Sequence, residues 1–279
     1  DLTVTKLRDD SFLVIATDTQ HRHVEAHLRR HLVDAVATDV TGGIAQINLQ
    51  GPRSRELLQS LTSVDLGDSA FPFRTANEID LGFARLLCSR LTYVGELGYE
   101  LFVPTEQAAH VYDRLVAAGA AFGLRHAGLK ALGSLRMEKA YRHWSHDITP
   151  EDSPLEAGLG FCVAWDKKGG FTGREALLRQ REHGITRRLA QFLISDPDAM
   201  LYHDEPIYKD GKRISRLTSA MYGYKLGGAV GLGYVGADHP ISIDEVLNAK
   251  YEIEVAGTKI PAKVSLKPMY DPTSARIKA

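Results

Sequence analysis

The run Leu189-Ala190-Gln191-Phe192-Leu193-Ile194 marks the point in this chain where helical periodicity ends. After it, short runs of alternating residues recur, separated by Gly, Pro and Asp; the clearest are residues 214–219, 251–255 and 260–264. Short alternating runs predict β-strands, and a succession of them is typical of a small barrel or sandwich. We therefore expect residues 186–279 to form a C-terminal all-β barrel.

Upstream of this region, strand and helix patterns are mixed. We expect a hairpin over residues 2–16, strands at 35–40 and 44–49, and a β-rich segment over 79–101. Helical periodicity follows candidate start signals near residues 19, 52 and 105, recurs over 129–140 and returns after residue 173. The predicted fold class is α+β, with mixed or antiparallel sheets and packed helices, followed by the barrel. At 279 residues the chain is long enough for two domains, which we place at 1–185 and 186–279.

Composition excludes several classes of protein. Lys and Arg number 34 and Asp and Glu 35, so the net charge of −1 argues against a nucleic-acid binder and a polybasic membrane anchor. The longest uncharged runs, residues 40–52 and 226–237, are too short to cross a bilayer. Two cysteines form no framework, which indicates a reducing compartment, and we expect Cys88 and Cys162 to be core residues. The chain opens with Asp1 inside a strand pattern, as a fragment would.

Two motifs suggest cofactors, but their context does not support them. Gly231-Leu232-Gly233-Tyr234-Val235-Gly236 matches the dinucleotide pattern, yet no long helix follows and the segment lies in the β half. We expect a glycine-rich barrel strand instead. His23, His27 and His31 share a helix face, but no carboxylate or Cys completes a zinc site. We expect no metal.

Four stretches, in this order, resemble the folate-dependent aminomethyltransferase family, which includes the T-protein of glycine cleavage. They are Asp1-Leu2-Thr3-Val4, Tyr93-Val94-Gly95-Glu96-Leu97-Gly98-Tyr99-Glu100, Ser134-Leu135-Arg136-Met137-Glu138-Lys139, and Thr218-Ser219-Ala220-Met221-Tyr222-Gly223 leading into residues 228–235. The resemblance is closer still to the C-terminal part of dimethylglycine and sarcosine dehydrogenases and oxidases. It rests on residues 93–98, Arg142-His143-Trp144 with His146-Asp147-Ile148, Pro154-Leu155-Glu156-Ala157-Gly158-Leu159 and Gly170-Phe171-Thr172-Gly173-Arg174-Glu175-Ala176-Leu177.

The resemblance implies a catalytic carboxylate and a pterin site. Asp1 matches the acid that faces the folate nitrogens, where a carboxylate can hold or relay a proton; a solvent-exposed strand-edge Asp is the alternative. Glu100 can accept two N–H bonds from a pterin, and Tyr93 can supply an aromatic face, unless Tyr93 is a surface aromatic of a strand. A turn at residues 95–98 would bring Tyr93 and Glu100 to one wall. Ile15 matches a position that lines the pterin slot, or belongs to the hairpin core.

Three further positions bear on the tail of the folate and on the branch of the family. Phe161 matches a stacking Trp, and Arg188 matches an Arg that approaches the benzoyl-glutamate tail. Leu132 stands where aminomethyltransferases carry a folate-side Arg, which favours the amine-dehydrogenase branch.

In that branch an upstream FAD domain oxidises an N-methylated amine, and the C-terminal part binds tetrahydrofolate and captures the one-carbon unit. The resemblance thus implies an enzyme whose flavin domain lies in cis upstream and whose FAD lies outside these residues. Its ligands would be folate and an N-methylated amine, with neither nucleic acid nor membrane as a partner. We expect a cytoplasmic protein, or one of the mitochondrial matrix if the source is eukaryotic. A stand-alone aminomethyltransferase or folate-dependent demethylase and a non-catalytic folate-binding module are the alternatives.

Overall fold

The structure, a computed structural model, describes all residues from 1 to 279 and divides into two compact units. The first unit comprises residues 1–92, 96–126 and 276–279, and the second comprises 93–95 and 127–275. Residue 185, the predicted domain boundary, lies within the second unit. The division of the chain into domains at that residue remains a prediction. None of the helices is long and apolar enough to span a bilayer.

The first unit contains a hairpin, a four-stranded sheet and three helices. Its elements are β1 (Thr3–Arg8), β2 (Ser11–Ile15), α1 (His21–His31), β3 (Ile44–Gln50), α2 (Ser54–Gln59), β4 (Ala76–Leu81), β5 (Ala84–Ser89), β6 (Gly98–Pro104) and α3 (Ala108–Gly119). Strands β1 and β2 form the predicted hairpin, and the sheet has the antiparallel order β3-β6-β5-β4. Its core combines Leu49, Leu101 and other alternate residues of the sheet with Leu58 of α2 and Val111 of α3. Because side chains alternate along a strand, the residues between these core positions line the opposite face.

The second unit is built around a closed barrel. Its elements are α4 (Leu129–Glu138), α5 (Arg174–His183), β7 (Arg187–Ile194), β8 (Pro206–Lys209), β9 (Lys212–Gly223), β10 (Gly228–Gly236), α6 (Ile243–Asn248), β11 (Tyr251–Val255) and β12 (Thr258–Ser265). The six strands pair antiparallel in the order β10-β7-β12-β11-β8-β9. Met137 of α4 packs with Leu189, Val230 and Leu232 of the barrel. The α+β fold class and the C-terminal barrel are thereby confirmed.

The glycine-rich motif at residues 231–236 belongs to strand β10, as predicted. A Cβ atom at Gly231 would lie 2.6 Å from Cδ1 of Leu217, and one at Gly233 would lie 3.0 Å from the carbonyl oxygen of Arg216. The glycines therefore allow two barrel strands to approach closely, and no phosphate-binding helix follows them.

Three local expectations were wrong or incomplete. Residues 35–40 form no strand; Asp34 has φ 55°, and the Val36 side chain is 92% exposed with no neighbouring strand to pair with. Cys88 is buried as expected, but Cys162 is exposed. The barrel also contains the helix α6, whose N-cap Ser242 accepts a hydrogen bond from the N–H of Glu245. That Ser-x-x-Glu spacing is a capping signal that could have predicted the helix.

Candidate functional site

Glu100 occupies a central position on β6 in the first unit. It lies opposite Asn48 of β3 on one side and Ser89 of β5 on the other, on the face away from the hydrophobic core. The side chain is half-buried, and its carboxylate has no hydrogen bond or ion pair within the protein. Burial raises the pKa of Glu100 because no donor compensates for the lost hydration. A ligand with N–H donors would supply the hydrogen bonds that the Glu100 carboxylate lacks within the protein.

Tyr93 belongs to the second unit, so Tyr93 and Glu100 lie in different compact units. The Tyr93 hydroxyl donates to the carbonyl oxygen of Arg142 at 2.7 Å, and its ring stacks on Tyr141 with centroids 6.0 Å apart. Burial raises the pKa of the Tyr93 phenol. Because its hydroxyl is already used, Tyr93 offers a ligand an aromatic surface rather than a donor. The predicted common wall for Tyr93 and Glu100 remains a prediction.

The loop that presents the Arg142 carbonyl is held by a buried carboxylate whose role the sequence did not predict. Asp147 has no exposed surface, and its Oδ2 accepts hydrogen bonds from Nη1 of Arg136 at 2.8 Å and from the N–H of His143 at 2.9 Å. Its Oδ1 accepts the hydroxyl of Thr218 at 2.5 Å. Asp147 thus ties the loop to α4 and β9. Its sequence signal was weak, because an Asp in a polar loop usually faces solvent.

Two neighbouring arginines on β7 have different surroundings. Arg187 pairs with Asp152 at 2.9 Å and Glu156 at 3.2 Å. Arg188 donates from Nε to the carbonyl oxygen of Ile241 at 3.0 Å, and its two Nη groups have no hydrogen-bond partner. Partial burial lowers the pKa of Arg188, since no carboxylate lies beside it. Arg187 therefore has a structural role, whereas Arg188 presents unused donors that suit a carboxylate.

The other predicted site residues, Asp1, Ile15 and Phe161, are described by their position and exposure. Asp1 is exposed and lies two residues before Thr3, the partner of Ile15 in the hairpin, so Asp1 and Ile15 share one end of it. Ile15 is half-buried. Phe161 lies in a short 3₁₀ turn at Gly160–Cys162 and is 80% exposed, so its ring is accessible. The chain contains no group of three His, Cys, Asp or Glu side chains arranged to hold a metal ion.

An antiparallel sheet with packed helices, followed by a closed six-stranded barrel, is an aminomethyltransferase-type fold. The chain superimposes on the crystal structure of glycine cleavage system aminomethyltransferase T from Bartonella henselae with a TM-score of 0.81. The alignment covers 97% of this chain and 72% of that one at 23% identity, which shows the fold alone.

The sequence matches the GCVT N-terminal domain over residues 1–167 and the glycine cleavage T-protein C-terminal barrel domain over residues 187–271. The chain therefore belongs to the glycine cleavage T-protein family.

Curated relatives include amine oxidoreductases. The chain is 38% identical, over all of its length, to 4-methylaminobutanoate oxidase (formaldehyde-forming) of Paenarthrobacter nicotinovorans. It is 36% identical, over 92% of its length, to the mitochondrial sarcosine dehydrogenase of Mus musculus. It covers 33% and 28% of these two proteins, so it spans about a third of the length of the relatives it matches.

Proposed function

We propose that this chain is the tetrahydrofolate-binding module of a flavin-dependent N-methylglycine dehydrogenase or oxidase, and that it captures the one-carbon unit released by amine oxidation. The observation that carries the proposal is Glu100, a half-buried carboxylate without a partner. Buried ionised groups without partners are costly, and proteins retain them chiefly where a ligand or a reaction uses them. A pterin carries two adjacent N–H donors that fit one carboxylate.

The other residues fit the remaining parts of a folate. Arg188 has two unpartnered Nη groups, and a guanidinium fork is suited to the carboxylates of a glutamate tail. Tyr93 and Phe161 offer aromatic surfaces. Asp1 is proposed to hold a proton while the folate nitrogen attacks the one-carbon unit. Ile15 is proposed to line the pterin slot.

The oxidative half of the reaction is proposed for the part of the protein beyond this chain. The matched segments cover only 33% and 28% of the two amine oxidoreductases named above. We assign FAD to a domain in cis and an N-methylated amine as its substrate, with the cytoplasm or mitochondrial matrix as the compartment.

One relative's name favours a second outcome, in which the carbon leaves as free formaldehyde instead of being captured. Folate binding separates these two functions, because only capture requires the Glu100 site.

The test is calorimetric titration of the full-length protein with tetrahydrofolate. Glu100→Ala should lower affinity about 10- to 150-fold, the equivalent of a charge-assisted contact of about 1.5–3 kcal/mol. The matched control is Glu78→Ala, which removes an exposed glutamate of the same sheet paired with Arg85. Equal affinities for the wild type and Glu100→Ala would refute the assignment of Glu100. Absence of binding to the wild type would refute the proposed function.

A further inference from the structure

Beside Glu100, on the same face of the sheet, Gln50 of β3 has an unusual side-chain position. Gln50 lies opposite Gly98, and Gly98 is two residues before Glu100 on β6, so all three occupy one face. A Cβ atom at Gly98 would overlap the Gln50 carboxamide. The missing side chain of Gly98 therefore lets the carboxamide lie over β6 at Gly98, two residues along the strand from Glu100.

The two ends of that carboxamide are used differently. Its Nε2 faces two backbone carbonyl oxygens, those of Leu91 and Tyr99, at 3.5 Å each. Its Oε1 is buried and accepts no hydrogen bond. Both neighbours of Nε2 are acceptors, which assigns the amide nitrogen to that side and leaves Oε1 as an acceptor without a donor.

A second unpartnered polar atom lies on the other side of Glu100. Ser89, directly opposite Glu100 on β5, is 1% exposed, and its hydroxyl has no partner. Buried polar atoms are usually hydrogen-bonded, and here two that lack a partner lie on the same face of the sheet as an unpartnered carboxylate. All three groups can accept hydrogen bonds, which describes a surface made for a ligand edge rich in N–H donors.

We infer that Gln50 is a specificity-determining residue of this site, whose Oε1 accepts the second hydrogen of the pterin 2-amino group while Glu100 accepts the first together with the ring N–H. This inference rests on the proposed function. A 2-amino-4-oxopyrimidine ring carries three such N–H hydrogens along one edge, and Glu100 alone can take only two of them in its plane. Gln50 thereby distinguishes a 2-amino pterin from a ring that lacks this group.

The experiment compares two probes on the full-length protein by calorimetry: tetrahydrofolate and its 2-deamino-2-methyl analogue. Gln50→Met keeps the length of the side chain and removes the acceptor. It should weaken binding of tetrahydrofolate about five- to tenfold, which lies within the range for one neutral hydrogen bond, and change binding of the analogue less than about twofold. Gly98→Ala should show the same selectivity, because its methyl group displaces the carboxamide while Gln50 itself remains.

The outcomes separate the inference from the function on which it depends. Equal weakening of both probes by Gln50→Met would show that the side chain only supports the backbone at Leu91 and Tyr99, and would overturn the inference. Unchanged affinity for tetrahydrofolate in both variants would overturn it as well, with folate binding intact. Failure of the wild type to bind tetrahydrofolate would overturn the proposed function and the inference together.

Discussion

Replacement of Asp147 by Ala should destabilise the second unit strongly, although the residue lies in a loop. The carboxylate is fully buried and accepts three hydrogen bonds, from Arg136, His143 and Thr218. Arg136 is itself buried, and Asp147 is the carboxylate with which it forms an ion pair. Removing the acid therefore leaves a buried guanidinium without its counter-charge.

The size of the effect follows from this burial. Breaking a buried ion pair by removing one partner costs about 3–5 kcal/mol, whereas an exposed pair is worth roughly 0–1 kcal/mol. For a cooperative unit of this size, a loss of 1 kcal/mol in the free energy of unfolding lowers the thermal unfolding midpoint by about 2–4 °C. Asp147→Ala should therefore lower that midpoint by about 6–20 °C. Asp147→Asn keeps an oxygen for Arg136 and an amide that can donate to Thr218, so we expect a smaller loss of about 1–2 kcal/mol.

The assay is thermal and urea unfolding of the three proteins, with Asp238→Ala as a matched control. Asp238 is an exposed acid of the same unit whose partner, His239, is also exposed. We expect the control to change the free energy of unfolding by less than about 0.5 kcal/mol. If Asp147→Ala and Asp238→Ala had equal effects, the reasoning about the buried pair would be refuted.

Two further predictions concern the proposed folate site. Arg188→Ala should weaken binding of folates that carry a glutamate tail, measured by calorimetry, and leave pterins without a tail nearly unaffected; equal losses for both would place Arg188 elsewhere. Asp1→Asn in the full-length enzyme should leave amine oxidation unchanged and lower the yield of methylenetetrahydrofolate per amine oxidised. Formaldehyde should be released instead, because water competes with the folate for the one-carbon unit. An unchanged partition at saturating folate would remove Asp1 from the mechanism, and loss of oxidation itself would show that the two steps are not separable.

Local patterns predicted much of the fold, because alternation and helical periodicity record which face of each element is buried. The hairpin, strand β3 and the barrel strands followed from such patterns. Residues 35–40 show the limit of this reasoning: their composition suits a strand, but a strand forms only where another edge pairs with it. Cys162 shows the same limit, since an apolar run indicates burial only if something covers it.

The sequence predicted which residues belong to the candidate site. It did not predict which of their polar groups have hydrogen-bond partners. Glu100 and Arg188 came from motif resemblance. The sequence does not say that Arg188 lacks an acidic partner while Arg187 has two, because the partners of Arg187 are more than 30 residues away. The role of Asp147 was not predictable for the same reason: its partner Thr218 is 71 positions distant along the chain.

Two buried carboxylates of the second unit are held by hydrogen bonds, unlike the groups that we propose to bind the ligand. The buried carboxylate of Glu138 accepts the N–H groups of Lys225 and Leu226, and that of Asp147 accepts three hydrogen bonds. Glu100, Gln50 and Arg188 instead retain unused acceptors or donors at partly buried positions. Unsatisfied polar groups cost folding free energy, and a ligand that pairs with them would recover part of that cost. Glu100 and Gln50 present acceptors, whereas Arg188 presents a cation. Acceptors suit a ligand edge that carries N–H donors, and a guanidinium suits an anionic group; the proposed ligand, a reduced folate, carries both kinds of group.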